Sequence, residues 1–282
     1  MLVITYNKIV KAVAEMYDKI GCEVDSDVCP ALENARVIED NPTANFALKI
    51  MVDNLKIAKE KHIPACQDTG MATLFVEVGR DLHIGCNITQ AINKGVREGY
   101  DKLFRKSVLD PLTRINTTDN TPAVIHYDII EGSRLKISAM AKGFGSENMS
   151  KLYMLTPADG VEGIINAVTE TVRISGGCAC PPVIVGVGIG GTMEKACIIA
   201  KKALLRKLGA RNAASNIASL EIEMLNRINQ LGVGAQGLGG IITALDVFVE
   251  TFPTHLAGLP VAVNIQCHCS RHISITLLGD EL

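Results

Sequence analysis

The chain has 282 residues, of which 48% are hydrophobic, and its 28 basic and 30 acidic side chains give a net charge of −2. The near-neutral charge disfavours a nucleic-acid partner, and the absence of a run of roughly 20 apolar residues disfavours a membrane protein. The first residues, MLVITYNKIVKAVAEMYDKIG, predict an amphipathic helix rather than an export signal. We therefore expect a cytoplasmic protein whose nine cysteines are reduced.

The first hundred residues predict three helices and one strand. Helical spacing of apolar residues covers 8–20 and 45–61, and the alternating segment TLFVEVG at 73–79 predicts a strand. A third helix is expected over ITQAINKGVREGYDKLFRKSV, where either Asn87 or Thr89 can serve as its N-cap.

The next segment predicts a turn-rich loop followed by two strands. Pro111, Asp119, Asn120 and Pro122 are typical of the loop. Strands are expected in VIHYDII and in RLKISAMAKG, and the residues EGS between them predict a hairpin turn. The following segment, KGFGSENMSKL, predicts a loop.

The second half predicts further helices and strands. In ADGVEGIINAVTETVRISGG, a helix is expected, with Asp159 and Glu162 at the spacing of a capping box. PPVIVGVGIGG predicts a buried strand, TMEKACIIAKKALLRKL and residues 215–230 predict helices, and LPVAVNIQCHC and HISITLL predict strands. Because regular βα alternation is lacking, we predict an α+β fold with largely antiparallel strands, as a single domain over residues 1–282.

Three cysteines lie in polar or glycine-rich surroundings. They are Cys66 in PACQDTG, Cys180 in GGCACPP and Cys267 in NIQCHCSRH. Three such thiolates could hold an iron–sulfur cluster with one iron open to substrate. Alternatively, Cys178, Cys180, Cys267 and Cys269 could form a zinc site, although one intervening residue in each pair is short for zinc. The cysteines could also be purely structural.

Other motifs have plain structural explanations. GVGIGG at 186–191 matches a dinucleotide-binding pattern, but no acidic residue follows at the required spacing, so a tight strand-to-helix turn is favoured. A lone histidine such as His255 is more often structural than catalytic, and Arg105 is by default a solvated helix residue. KGFGSENMSK could form an anion-binding nest or an ordinary surface loop.

Taken together, these segments resemble the α subunit of the class I, iron–sulfur fumarate hydratase and L-tartrate dehydratase family. The matching segments are PACQDTG, DNTPAV, KGFGSENMS, CACPPVIVGVGIGGTMEKA, GVGAQGLGG, TFPTHLAGLPVAVNIQCH and SRH, in family order over nearly the whole chain. The resemblance implies a [4Fe–4S] cluster held by Cys66, Cys180 and Cys267. It also implies catalytic roles for Asp68 and His255. Substrate-binding roles are implied for Gln67, Arg105, Gly143, Phe144 and Gly145. Phe144 departs from the family's usual glycine triplet and could narrow the pocket.

The resemblance also implies a reaction and a partner. The reaction is reversible hydration of fumarate to malate, with the open iron as Lewis acid, Arg105 binding a carboxylate, His255 contacting substrate, and Asp68 orienting substrate or shuttling a proton. Family members carry a swivelling domain that supplies the carbon base, and we expect it on a separate β subunit. An α homodimer within an α2β2 complex is then expected. The alternatives are an L-tartrate dehydratase α subunit and a non-catalytic zinc- or cluster-binding scaffold.

Overall fold

The computed structural model describes residues 2–100 and 107–281. It divides the chain into two compact units, each with a hydrophobic core of its own. Unit 1 consists of Met1–Asp25, Lys56–Gly143 and Arg271–Leu282, and unit 2 consists of Ser26–Leu55 and Phe144–Ser270. The single domain over residues 1–282 stays a prediction.

The elements within these ranges combine helices and sheets. The helices are α1 (Tyr6–Cys22), α2 (Val28–Ile38), α3 (Pro42–Lys61), α4 (Ile88–Gly99), α5 (Phe144–Glu147), α6 (Gly160–Ser175), α7 (Met193–Ala203) and α8 (Ser215–Asn229). The strands are β1 (Leu2–Ile4), β2 (Met71–Gly79), β3 (His83–Ile84), β4 (Val124–Ile130), β5 (Arg134–Lys142), β6 (Lys151–Leu155), β7 (Val183–Gly190), β8 (Ala244–Phe252), β9 (Leu259–Gln266), β10 (His272–Leu278) and β11 (Asp280–Glu281). The predicted α+β class is confirmed, with antiparallel and parallel pairings mixed in the sheets.

In unit 1, helices α1 and α4 pack against a sheet with the strand order β10-β5-β2-β4. Apolar residues recur three to four positions apart along α1, so Ile9, Val13, Met16 and Ile20 share its buried face. Gly95 of α4 lets the two helices approach closely, because an added Cβ there would lie 2.7 Å from Val13 Cβ. A short second sheet, β11-β1-β3, completes this unit.

The connection between β4 and β5 is not the hairpin that the sequence predicted. Both strands pair with β2, β4 in parallel and β5 antiparallel, so β2 lies between them. Residues 131–133 therefore cross the end of β2 at Gly79. A Cβ at Gly79 would lie 2.4 Å from the carbonyl oxygen of Gly132, so only glycine fits beneath this crossing.

In unit 2, the sheet has the strand order β6-β9-β7-β8 and carries helices on both faces. The valines of β7 join α6 and α8 in one core, while Gly186 and Gly188 at alternate positions face α7. Added Cβ atoms at these two glycines would lie 2.1 Å from the main-chain oxygens of Ala200 and Ala196. The first glycines of GVGIGG thus allow close helix packing, and the last two, both at positive φ, form the expected tight turn.

Several local predictions need correction. The capping box forms one turn earlier than expected, between Thr156 and Asp159. The Asp159 carboxylate accepts a hydrogen bond from the Thr156 main-chain N–H at 2.7 Å. The predicted loop at 142–152 contains the short helix α5. The helix beginning after Asn87 is described from Ile88 to Gly99, and residues 101–106 of the predicted helix lie outside the described residues. α2 and β8 were not predicted. None of the helices in the described ranges combines the length and apolar character that crossing a membrane requires.

Candidate functional site

The predicted site residues fall into two groups, one in each unit. Unit 1 holds Cys66, Gln67, Asp68 and Gly143, and unit 2 holds Phe144, Gly145, Cys180, His255 and Cys267. Arg105 lies outside the described residues. The role of each residue in a site stays a prediction.

The first group lies on the loop between α3 and β2. Cys66 and Asp68 are half-buried and Gln67 is exposed. Asp68 Oδ1 accepts a hydrogen bond from the Gly70 N–H at 3.1 Å, which fixes the orientation of its carboxylate. Gly70 has φ +79°, and an added Cβ would lie 2.7 Å from the Ala141 main chain. A glycine is therefore required where this loop enters β2.

Three consecutive carbonyl groups of this loop are bound by buried side chains from distant segments. Arg271, 2% exposed, donates from Nη2 to the Asp68 carbonyl at 2.7 Å. The Tyr100 hydroxyl donates to the Thr69 carbonyl at 3.3 Å, and the Asn120 amide donates to the Gly70 carbonyl at 3.1 Å. These hydrogen bonds hold in one conformation an irregular segment that lies just before β2.

Electrostatics keep this arrangement intact near neutral pH. Burial raises the pKa of the Tyr100 hydroxyl well above its ordinary value, Arg271 opposes the rise, and Asp68 adds to it. Tyr100 therefore keeps its proton and continues to donate to the loop. Arg271 and Asn120 lie in motifs that match the family, but neither was predicted to hold this loop, and no role was predicted for Tyr100.

Gly143 lies beside the Asp68 carboxylate. A Cβ added at Gly143 would lie 3.4 Å from Asp68 Oδ2, so glycine at this position places no side chain of its own against the carboxylate. The buried Lys142 donates from Nζ to the Gly143 carbonyl at 3.1 Å. This part of the predicted glycine loop is thus adjacent to a predicted catalytic residue within unit 1.

The second group is centred on Cys180 and Cys267. Cys180 ends a 3₁₀ turn in the left-handed region, with φ 53° and ψ 60°, and its N–H donates to the Gly177 carbonyl at 3.1 Å. Cys267 directly follows β9. His268 Nδ1 lies 3.0 Å from the Cys180 carbonyl oxygen, and donation by the ring N–H connects the two cysteine segments.

The neighbouring cysteines differ in their surroundings. Cys269 is buried, Cys267 is half-buried, and Cys178 and Cys180 are both exposed. Across the described residues, no three His, Cys, Asp or Glu side chains converge as they would around a preformed single-metal site. The thiolates of a zinc site share one metal. The ligands of an iron–sulfur cube bind separate irons and need not converge on one point.

The donor chemistry of the predicted ligands suits a thiolate-bound cluster. All nine cysteines lie in the described ranges, and none forms a disulfide there. The Gln266 amide donates to the Cys267 sulfur at 3.9 Å, a contact that favours a charged sulfur. By contrast, burial raises the pKa of the Cys86 and Cys197 thiols, which keeps both protonated.

Phe144 and Gly145 begin α5. Phe144 is 46% exposed, and a Cβ added at Gly145 would lie 3.7 Å from the Cys178 carbonyl oxygen. Glu147, at the end of α5, pairs with Lys201 and accepts from the Asn264 amide at 3.1 Å. α5 is thereby fixed next to the turn that leads to Cys180.

His255 lies on the exposed loop between β8 and β9. Its Nδ1 accepts a hydrogen bond from the Ala257 N–H at 3.2 Å, so the proton of the neutral ring is assigned to Nε2. The ring borders a cavity of about 410 Å³ whose lining includes Val161, Ile164 and Leu259. His255 can therefore donate a hydrogen bond from Nε2 to a ligand.

Comparison with known proteins identifies the family. The chain is 44% identical over 272 residues to the protein named "Putative L(+)-tartrate dehydratase subunit alpha" of Methanocaldococcus jannaschii, covering 94% of this chain and 95% of that protein. It is 30% identical over 279 residues to "L(+)-tartrate dehydratase subunit alpha" of Escherichia coli strains UTI89 and K12, covering 97% of this chain and 92% of each relative. Residues 10–276 match the family described as "Fumarate hydratase (Fumerase)". As its sequence motifs predicted, the chain belongs to the fumarate hydratase family of hydro-lyases.

Proposed function

We propose that this chain is the catalytic α subunit of a [4Fe–4S]-dependent enzyme that reversibly hydrates fumarate to malate. The observation that carries the proposal is the family match over residues 10–276. Cys66, Cys180 and Cys267 would hold the cluster. When bound, the cluster supplies an open iron that acts as a Lewis acid toward a substrate hydroxyl and carboxylate.

The chain's own residues would bind and orient a dianionic substrate. Asp68 has a fixed carboxylate whose Oδ2 lies on the side of Gly143, which suits orienting the substrate or holding a proton. Gln67 is exposed next to it and can donate from its amide. His255 would donate from Nε2, and Arg105 would bind a carboxylate through a bidentate guanidinium.

A partner subunit would complete the enzyme. The relatives are named as alpha subunits, which supports a β subunit that binds this chain. We expect the β subunit to carry the swivelling domain and the group that removes the carbon-bound proton. The expected assembly is α2β2, and we expect the enzyme to be cytoplasmic.

L-tartrate dehydration is the second candidate reaction. The relatives' names favour it directly. Both substrates are four-carbon dicarboxylates, and malate and tartrate differ by one hydroxyl group. A single missing or added hydroxyl can change the rate by several orders of magnitude where the site hydrogen-bonds that group. The reconstituted αβ complex should therefore turn over one of the two substrates far better than the other.

The experiment that tests the cluster assignment uses matched cysteine variants. Cys180→Ser and Cys267→Ser should each abolish iron and sulfide uptake during anaerobic reconstitution, because each removes one of three ligands. Their controls, Cys178→Ser and Cys269→Ser, are two residues away and should bind iron like the wild type. Iron, sulfide and visible absorbance are measured, followed by hydration assays with the β subunit.

Two results would contradict the proposal. Loss of the cluster in the control variants, with retention in Cys180→Ser, would refute the ligand assignment. A colourless wild-type chain that binds zinc but no iron would instead support the non-catalytic scaffold.

A further inference from the structure

Glu39 is a buried carboxylate that follows α2 in unit 2. It is 6% exposed, and its oxygens accept hydrogen bonds from main-chain N–H groups of Asn41 at 3.0 Å, Ile241 at 3.1 and 3.2 Å, and Ile242 at 3.1 Å. An ionised carboxylate can accept all of these bonds because it carries only acceptors. The amide NH₂ of a glutamine side chain would instead point its N–H bonds at these main-chain N–H groups. The site thus requires a carboxylate specifically.

Two of the residues whose N–H groups Glu39 binds, Ile241 and Ile242, directly follow the glycine loop, residues 232–240. Gly240 has φ +118°, and an added Cβ would lie 2.5 Å from Glu39 Oε1, so glycine is required for the carboxylate to fit. The loop also closes on itself: the Gly239 N–H donates to the Val233 carbonyl at 2.9 Å. A Cβ at Gly234 would lie 1.8 Å from the Gly239 oxygen. Glu39 therefore anchors one end of a tightly closed loop.

The other side of the glycine loop contacts the turn that leads to Cys180. The Gln236 N–H donates to the Pro181 carbonyl at 2.8 Å, although Gln236 has φ 55°, which is unfavourable for a residue with a side chain. A Cβ at Gly237 would lie 2.8 Å from Gly177 Cα. The two backbones are thus in direct contact on both sides of Cys180, at Gly177 and at Pro181.

From this continuous set of contacts we infer that Glu39 is a positioning residue for Cys180, acting through the glycine loop. The inference rests on the proposed function in one respect, namely that Cys180 is a cluster ligand. Cys180 is exposed and lies on an irregular turn in the left-handed region. Its thiol direction therefore depends on neighbouring segments that hold the turn, and the glycine loop is one of them.

The test compares Glu39→Gln with three other variants. Asp40→Asn changes the adjacent, exposed carboxylate and serves as the charge control. Ile228→Val removes one methylene from the core of unit 2 and serves as the stability control. Glu39→Asp retains a carboxylate on a shorter side chain and should restore part of the wild-type behaviour.

The first measurement is hydrogen–deuterium exchange of the metal-free full-length chain. Glu39→Gln should accelerate exchange about tenfold in residues 234–242 and also in residues 177–180, because the Cys180 N–H bond to Gly177 loosens with the loop. Asp40→Asn and Ile228→Val should leave both segments as in the wild type. Faster exchange confined to 234–242 would overturn the inference, because the loop would then not hold the Cys180 turn.

The second measurement is retention of the reconstituted cluster against an iron chelator. Glu39→Gln should lose iron about tenfold faster than the wild type, and the spectrum of its reduced cluster should change, while the two controls match the wild type. Equal iron retention in Glu39→Gln would overturn the inference. If the wild-type chain takes up no iron, the proposed function fails, while faster exchange at 177–180 in Glu39→Gln would still support the coupling between Glu39 and this turn.

Discussion

Replacing Gly188 with alanine should weaken the contact between β7 and α7. The added methyl carbon would lie 2.1 Å from the Ala196 carbonyl oxygen and 2.8 Å from both the Ala200 nitrogen and Ile199 Cγ1. Favourable contacts between such atoms need about 3.5 Å. Because the closest of these atoms belongs to the helix backbone, no side-chain rotation relieves the overlap. α7 must instead move away from the sheet by about 1 Å.

The expected cost follows from two opposing effects. Overpacking against a rigid neighbour costs about 3 kcal/mol. Removing a glycine restricts the unfolded chain and offsets roughly 1 kcal/mol of that cost. The net loss of about 2 kcal/mol should lower the melting temperature by about 4–8 °C. Calorimetry of the metal-free chain measures this shift.

The matched control is Gly258→Ala, where an added Cβ would lie 4.0 Å from the nearest atom, Pro260 Cδ. Its unfolding free energy should stay within about 0.5 kcal/mol of the wild type. A Gly188→Ala chain that melts like the wild type would refute the packing argument. If that variant also lost binding of a dinucleotide that the wild-type chain bound, the glycines would serve a phosphate site instead.

Two further predictions concern carboxylates in unit 2. Glu221→Gln should destabilise the chain by roughly 3 kcal/mol, because the fully buried Glu221 carboxylate binds Arg206 at 2.6 Å and its loss leaves a partly buried positive charge. The control is Glu223→Gln on the more exposed side of the same helix, which should change the free energy of unfolding in urea by less than about 0.5 kcal/mol. Equal effects of the two substitutions would contradict the argument. The Thr156 hydroxyl and main-chain N–H hold the pKa of Asp159 below its ordinary value. The charged form of Asp159 therefore stabilises the fold above about pH 4, and this stabilisation is lost as the pH falls through the pKa of the folded state. The stability difference between wild type and Asp159→Asn should therefore shrink from about pH 5 to about pH 2, and a constant difference would exclude this linkage.

Much of the fold could be predicted from apolar periodicity, but strand β8 and the connection between β4 and β5 could not. The segment ALDVFVETF contains Asp246 and Glu250, whose charges obscure the strand pattern. In the folded chain β8 is an edge strand, and Asp246 pairs with Arg211 at 2.7 Å while Glu250 lies 3.4 Å from Arg206. Long-range ion pairs thus allow charges in a strand, and local pattern does not contain that information.

The hairpin error has a different physical cause. β4 and β5 are joined by three residues, and that length alone favours direct pairing. The preceding strand β2 occupies the position between them because it pairs with both. The sequence contained one indication of this arrangement, the glycine at the end of β2, since Gly79 is the position where the crossing chain comes closest.

In the candidate site, the sequence predicted the cysteine motifs but not the residues that hold them in place, for a related reason. The motifs around Cys66, Cys180 and Cys267 were sufficient to identify the family, which the comparisons confirm. The residues that hold these segments were not predicted, because they bind main-chain groups from far along the chain. A side chain that binds a distant carbonyl, as Tyr100 does, leaves no local pattern in the sequence.

Both groups of predicted site residues are constructed in the same way. Each has an irregular segment, where no strand ladder or helix fixes the backbone, and in each the main chain is bound by buried side chains. In unit 1, Arg271, Tyr100 and Asn120 bind three successive carbonyls of the segment that carries Asp68. In unit 2, Glu39 binds the N–H groups of Ile241 and Ile242, which directly follow the glycine loop that contacts the Cys180 turn. This construction leaves predicted ligand thiols at least partly exposed while the backbone beneath them is held, which is the preorganisation that a binding site requires. Residues that touch neither cluster nor substrate should therefore determine how well the site assembles.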